Sequence, residues 1–147
     1  TWGKYSGYTT DPNINPHYIR PAMLQQRLQK LMDEYVGGVG TWYMTSKYML
    51  EEGFYYMKML KEDSYHMCAE NLHELLRAWE NFHRILAGEA HARHIHFREE
   101  TRYPGYYYRG DHMAIDDENW KCFVNSTYDK ATGEWKIFKK DYQQLVA

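Results

Sequence analysis

The sequence predicts a mainly α protein: a three-helix, up-down-up bundle with an irregular N-terminal lead-in and a small C-terminal β-hairpin. Three observations lead to this fold class. Apolar residues recur at helical spacing in three separate stretches. Glycine or proline residues lie after the first and third of these stretches, where each helix is expected to end. Near the C-terminus, two runs rich in aromatic and β-branched residues flank a short link that ends in glycine, which is typical of a hairpin.

Residues 1–20 are predicted to form the irregular lead-in, because two glycines and two prolines interrupt them. Proline fixes φ and disfavours helix in the residue before it. Pro21 suits the first turn of a helix, and the glycines at 37, 38 and 40 are expected to end that helix. Its expected apolar face comprises Leu24, Leu28, Leu31, Met32 and Tyr35.

A second helix is predicted from an N-cap at Thr41 to about Lys61. Its methionine and aromatic residues are interpreted as core positions. Gly53 lies inside this helix and costs about 1 kcal/mol relative to alanine. We therefore expect either close packing at Gly53 or a bend. The expected apolar positions include Tyr48, Met49, Tyr56, Met59 and Leu60.

A third helix is predicted to begin near Asn71 and to end just before Pro104 and Gly105, a strong breaker pair. The three helices together define a bundle over residues 21–103. The expected apolar face of the third helix comprises Leu72, Leu75, Leu76, Trp79, Phe82, Leu86 and Ala90. Its expected solvated face comprises Glu70, Glu74, Arg77, Glu80 and Arg84.

Residues 104–147 are predicted to extend the bundle within one compact domain. A tyrosine-rich loop comes first, followed by a turn or short helical segment at 116–120. Residues 121–129 and 134–142 are the predicted arms of the hairpin. Gly133 ends their link and suits a turn position with positive φ.

Composition excludes several classes of function for the 147-residue chain. A net charge of −2 argues against a nucleic-acid or anionic-membrane partner, since such binders carry a basic surplus. No apolar run is long enough for a membrane span, and the first residues lack the pattern of a signal peptide. Cys68 and Cys122 form neither a disulfide framework nor a CxxC site, which fits a cytoplasmic protein. Because the chain begins at Thr1 rather than Met, we expect a fragment of a longer chain.

The sequence patterns that could indicate catalytic or metal-binding residues are weak. His91 and His94 are spaced to share a metal ion, but His96 points away from them on a helix. The neighbouring pairs Glu99-Glu100 and Asp116-Asp117 also point apart, and no nucleophile motif is present. The sequence therefore predicts no catalytic, cofactor-binding or metal residue, and a histidine-rich metal or haem binder is the lesser alternative.

The stretch REETRYPGYYYRGD, residues 98–111, is the candidate docking surface. Arginine presents a planar fork to carboxylates and rings, and tyrosine supplies a large contact area with a polar tip. The alternative is that these rings only cover the end of the bundle. The candidate interface residues are Arg98, Arg102, Tyr103, Tyr106, Tyr107, Tyr108, Arg109 and Asp111.

The segments ETRYPGYYYR and ENWKCFVN carry a family resemblance that extends over nearly the whole chain. The chain resembles the C-terminal region of the flavoprotein (alpha) subunits of adenylylsulfate reductases. The wider group is the succinate dehydrogenase/fumarate reductase flavoprotein family, whose helical domain ends in a Glu-Ser-Arg-Gly-Ala-His-x-Arg-x-Asp-like motif. Glu100, Arg102, Arg109 and Asp111 match its charged positions, whereas a tyrosine-rich insertion replaces the Gly-Ala-His portion.

The resemblance implies an FAD-binding domain upstream in the full-length subunit and a smaller beta subunit with iron–sulfur clusters of the 4Fe–4S type. It implies that the full enzyme, an oxidoreductase, interconverts adenosine 5′-phosphosulfate with AMP and sulfite. The fragment would hold no cofactor and would be inactive alone, as a structural and docking domain. The alternative is a stand-alone helical module that binds a partner protein through its tyrosines.

Overall fold

The computed structural model describes residues 18–142, and the predicted mainly α architecture is confirmed. Three helices, α1 (Pro21–Tyr35), α2 (Lys47–Asp63) and α3 (Leu72–Phe97), pack on one another around a single apolar core. A short helix, α4 (Asp117–Trp120), precedes an antiparallel hairpin of β3 (Cys122–Asp129) and β4 (Glu134–Asp141). Two further strands, β1 (Met44–Thr45) and β2 (Tyr108–Arg109), pair in parallel.

The first helix agrees with the prediction. Pro21 occupies its first turn, and the buried face contains Leu24, Leu28 and Leu31. Gly37 comes after the helix with φ +92°, in the left-handed region that glycine reaches at little cost. Of the lead-in predicted over residues 1–20, residues 1–17 lie outside the described part of the chain. Within the described part, Ile19 forms a parallel bridge with Met67.

The predicted start of the second helix is wrong. Its N-cap is Ser46, whose hydroxyl accepts a hydrogen bond from the Met49 amide at 3.4 Å. The Thr41 hydroxyl instead donates to the carbonyls of Asp33 and Gly38, so Thr41 closes a loop after α1. Residues 37–45 therefore form a connection that contains a 3₁₀ turn, Val39–Thr41, and strand β1.

The buried face of α2 also differs from the prediction. Tyr48, Tyr56 and Met59 are exposed, whereas the predicted position Leu60 is buried. Gly53 is buried, and a Cβ at this position would lie 2.9 Å from the Cβ of Tyr35. Of the two expected explanations for this glycine, close packing between α1 and α2 is therefore the one observed. The buried positions of α2 are Leu50, Gly53, Met57 and Leu60.

The third helix starts as predicted but ends earlier. The Asn71 side chain accepts from the Glu74 amide at 3.0 Å, as an N-cap does. The helix stops at Phe97, and Arg98 is extended with ψ 108°, so the predicted continuation to residue 103 is wrong. The last carbonyls of α3 accept hydrogen bonds from Arg109, and this contact satisfies groups that a longer helix would have paired internally.

The predicted apolar face of α3 is wrong in its N-terminal half. Leu72 is 80% exposed, and Leu76 and Trp79 are about half exposed. The face that packs on α1 and α2 carries small and polar residues. They include Asn81, which donates to the Pro21 carbonyl at 2.8 Å. The buried positions of α3 are Ala78, Asn81, Ile85, Glu89, Ala92 and Ile95.

The C-terminal extension has the predicted form. The short helix α4 covers the predicted segment, and β3 pairs with β4 in a register that includes Asp129 opposite Glu134. Gly133 has φ +75° in the turn, as its position predicts. Within residues 18–142, no helix is long and apolar enough to cross a membrane.

Candidate docking surface

Arg109 is the organising residue of the tyrosine-rich segment. Its side chain is completely buried, although arginine is almost never buried without partners. The guanidinium donates to the carbonyls of Ile95, His96 and Arg98 at 2.6, 3.1 and 2.8 Å. It also forms a two-pronged ion pair with Asp111, with both N···O distances at 2.9 Å. A cation thus closes the C-terminal end of α3, where the helix dipole favours positive charge.

Asp111 extends this contact to a second helix. Its carboxylate accepts a hydrogen bond at 2.9 Å from the amide of Lys47, the first residue of α2. Donation from Arg109 chiefly, and from the Lys47 amide, lowers the pKa of Asp111 well below its usual range despite partial burial. The pair therefore joins the C-terminal end of α3 to the N-terminal end of α2, with each charge at the helix end that favours it.

Glu100 is the centre of a second buried cluster. Its carboxylate is inaccessible to solvent and accepts hydrogen bonds from Arg98, from Arg102 at 2.6 and 2.9 Å, and from the Asp116 amide at 2.9 Å. Burial by itself would raise the pKa of Glu100, but these donors together outweigh it, so its pKa is lowered. The predicted separation of Glu99 from Glu100 is confirmed, because Glu99 is exposed.

The two arginines around Glu100 attach the C-terminal extension to the bundle. Arg98 donates at 2.9 Å to the carbonyls of Trp120 and Cys122, at the start of the hairpin. Arg102 forms a further ion pair with Asp117 of α4 at 2.8 Å. These guanidiniums therefore make their observed contacts within the chain, and the charged half of the candidate surface has a clear internal role.

The tyrosines divide into two groups. Tyr106 is 81% exposed and Tyr103 is 59% exposed, so both rings are available to another surface. Tyr107 packs against the core, and burial raises the pKa of its hydroxyl. Tyr108 lies in β2, where its amide donates to the Tyr43 carbonyl at 2.7 Å. The docking role of these residues stays a prediction.

A cleft of about 480 Å³ lies beside these tyrosines. It is enclosed by the C-terminal half of α3, the tyrosine-rich segment and the hairpin. Its walls combine rings with cationic side chains, and they include His91, His94, Arg98, Tyr103, Tyr107 and Trp120. Among the residues that the structure describes, no group of three histidine, cysteine or acidic side chains is arranged to hold a metal ion.

One exposed group lies outside the residues that the sequence predicts for an interface. Trp42 is 85% exposed, and Tyr43 and Met44 next to it are also open to solvent. They come shortly after the run GGVG, from which the sequence predicts only a helix stop. A tryptophan close behind such a glycine-rich turn is the signal that could have identified them, because aromatic residues are enriched in protein interfaces.

Comparisons with known proteins agree on one relationship. No family model matches the chain. It is 56% identical over 143 residues to the adenylylsulfate reductase subunit alpha of Megalodesulfovibrio gigas, which covers 97% of the chain and 22% of that protein. It is 46% identical to a chain of the adenylylsulfate reductase structure from Archaeoglobus fulgidus, with a TM-score of 0.89, covering 99% of this chain and 23% of that one.

A more distant likeness extends to the wider fold group. A chain of E. coli quinol fumarate reductase superposes with a TM-score of 0.73 at 18% identity, over 88% of this chain and 22% of that one. At this identity the likeness concerns the fold alone. The chain spans about a fifth of the length of the relatives that it matches. Over nearly its whole length the chain therefore matches the adenylylsulfate reductase alpha subunits, and it corresponds to the C-terminal region of such a subunit.

Proposed function

We propose that this chain is the structural and docking domain of an FAD-dependent adenylylsulfate reductase alpha subunit. The full enzyme would interconvert adenosine 5′-phosphosulfate with AMP and sulfite, and this region alone would be inactive. One observation carries the docking role: internal ion pairs engage Arg98, Arg102 and Arg109, while the rings of Tyr103 and Tyr106 remain exposed. Aromatic side chains with a polar tip are enriched at protein interfaces.

The proposed partners are the upstream FAD-binding domain of the same subunit and an iron–sulfur beta subunit. The FAD held upstream would supply the redox chemistry, and the residues of this chain would keep that domain in place. A cytoplasmic location belongs to the same proposal, in line with the two isolated cysteines. The 56% identity over nearly the whole chain supports this assignment.

The test uses a full-length alpha subunit that contains this region. Tyr103→Glu combined with Tyr106→Glu places two charges on the proposed interface, where burying an unpaired charge is costly. We expect limited proteolysis at the junction with the upstream domain to become about tenfold faster, which corresponds to about 1.4 kcal/mol of lost docking.

Tyr55→Glu is the matched control, because Tyr55 is a comparably exposed tyrosine on α2 that lies outside the tyrosine-rich segment. Its proteolysis rate should match that of the unmodified subunit. Equal rates for the control and for the double variant would contradict the docking role of Tyr103 and Tyr106.

A further inference from the structure

Residues 37–44 form a loop between α1 and α2, which we call the Trp42 loop. Contacts with Asp33 of α1 fix its conformation. The Asp33 carboxylate accepts a hydrogen bond from the Gly40 amide at 2.9 Å. A Cβ at position 38 would lie 2.5 Å from the Cα of Asp33, and one at position 40 would lie 2.5 Å from its Oδ2. A side chain at position 38 would clash with the backbone of α1, and one at position 40 would displace the Asp33 carboxylate, so the loop packs directly on the end of α1.

The same loop holds two aromatic residues in a backbone conformation that they rarely adopt. Trp42 has φ +56° and Tyr43 has φ +60°. The left-handed region is unfavourable for a residue with a side chain, because the Cβ approaches the following carbonyl oxygen. Three backbone hydrogen bonds impose it: Trp42 to Val39 at 3.1 Å, Tyr43 to Gly38 at 2.8 Å, and Tyr108 to Tyr43 at 2.7 Å. Strain of this kind persists where the surroundings enforce it, and it is concentrated at functional sites.

The result of this arrangement is an exposed, uncharged aromatic patch. Trp42 is the most exposed of the large apolar side chains in the described part of the chain. In the small parallel sheet, Met44 of β1 pairs with Tyr108 of β2. Trp42 lies two residues before Met44, and Tyr106 lies two residues before Tyr108. Because the strands are parallel, both exposed residues lie at the same end of the sheet. The patch comprises Val39, Trp42, Tyr43, Met44 and Tyr106.

We propose that the remainder of the same alpha subunit covers this patch and that Trp42 is its anchor, inserted into an apolar pocket there. The inference rests on the proposed function and specifies its contact. About four-fifths of the related subunits lies outside the matched region, and in the related reductase this region has the same fold within the longer chain. A permanent interface is more apolar than a transient one, which fits a patch without charge.

The test is hydroxyl-radical footprinting of a full-length alpha subunit, alone and with its partner subunit bound. The chain contains its own references, because Trp120 is 7% exposed and Trp79 is about half exposed. If exposure within this region alone set the modification rates, Trp42 would react fastest, Trp79 more slowly and Trp120 slowest. In the full-length subunit alone, we expect the modification rate of Trp42 to be at least tenfold lower than this order implies and to match that of Trp120.

Two results would overturn the anchor role. Trp42 could remain the fastest-modified tryptophan in both samples, or it could become protected only when the partner subunit is present. Tyr103 and Tyr106 report separately in the same experiment. Their protection without that of Trp42 rejects this inference and leaves the proposed function standing, whereas exposure of all three residues rejects both.

A variant distinguishes an anchor from a residue that only shapes its own loop. Trp42→Asn removes the ring, and asparagine tolerates the left-handed conformation better than tryptophan does. We expect the 147-residue chain to unfold at an unchanged or higher urea concentration. Proteolysis of the full-length subunit at the junction should become at least tenfold faster. Unchanged proteolysis, or destabilisation of the chain itself, would overturn the anchor role.

Discussion

At the scale of single residues, the tyrosine-rich segment owes its shape to buried charge. The sequence predicts Arg109 at an interface, yet the structure places it where three carbonyls and a carboxylate converge. A buried cation is tolerated only with such complete pairing, because its desolvation costs several kcal/mol. Arg109 therefore positions the segment, and the surface is left to rings that need no charged partner.

Arg109→Met retains much of the side-chain volume but leaves Asp111 and the three carbonyls without their donor. We expect the free energy of unfolding of the chain to fall by about 3–5 kcal/mol, the usual cost of removing one partner of a buried ion pair. Urea denaturation followed by circular dichroism measures this change. Arg27→Met is the control, because the ion pair of Arg27 with Asp63 is exposed and should be worth under about 1 kcal/mol. Similar losses in both variants would show that Arg109 has no special structural role.

At the scale of elements, local sequence signals determine where the helices begin and end, but they do not determine which helix faces are buried. Capping by Asn71 and the glycine stop after α1 are properties of a few consecutive residues. Which side of α3 is buried depends on two other helices. Asn81 and Glu89 lie inside because the Pro21 carbonyl, Lys61 and Arg93 provide their partners there. A count of apolar residues does not contain that information.

Two helical glycines test the packing of α1 against its neighbours. Alanine at either Gly53 or Gly88 gains about 0.8–1 kcal/mol of helix propensity. At Gly53 the new Cβ would lie 2.9 Å from the Cβ of Tyr35, so the helices must separate. At Gly88 it would lie 3.1 Å from the sulfur of Met32, a flexible side chain.

We therefore expect Gly53→Ala to lower the free energy of unfolding by about 1–3 kcal/mol, as overpacking does. Gly88→Ala should remain within about 1 kcal/mol of the parent chain. Thermal unfolding of the two variants side by side measures the difference. Stabilisation by Gly53→Ala would mean that α1 and α2 are not in close contact at this position.

At the scale of the whole molecule, polar contacts between described residues attach the hairpin to the bundle. Arg98 bonds the carbonyls of Trp120 and Cys122, and Lys61 lies 3.2 Å from the hydroxyl of Tyr128 on β3. Such an element can open without unfolding of the helices, because the free energy of local opening differs from region to region.

Arg98→Met removes the donor to both carbonyls, and hydrogen bonds to a charged group are worth about 1.5–3 kcal/mol. Hydrogen exchange of β3 and β4 amides should become at least about tenfold faster, while the amides of α1 keep their rates. Mass-spectrometric hydrogen exchange measures both in one sample. Arg77→Met, at an exposed arginine of α3 whose side chain bonds His73 of the same helix, should change neither. Equal acceleration in α1 and in the hairpin would show that the two unfold as one unit.

Local sequence patterns were enough to predict the fold class, the first helix, the start of the third helix, the hairpin and its glycine turn. These features depend on periodicity, capping and turn chemistry, which act over a few residues. The resemblance to adenylylsulfate reductase alpha subunits was also available from the sequence, and the comparisons bear it out.

The tertiary structure was needed to establish which helix faces are buried, where α2 begins, which arginines face inward and that Trp42 stands exposed. Each of these depends on contacts between residues far apart in the chain, such as the Lys47 amide with Asp111 or Asn81 with the Pro21 carbonyl. The free energy of those contacts depends on how the elements pack together, and no local pattern of residue types encodes that packing.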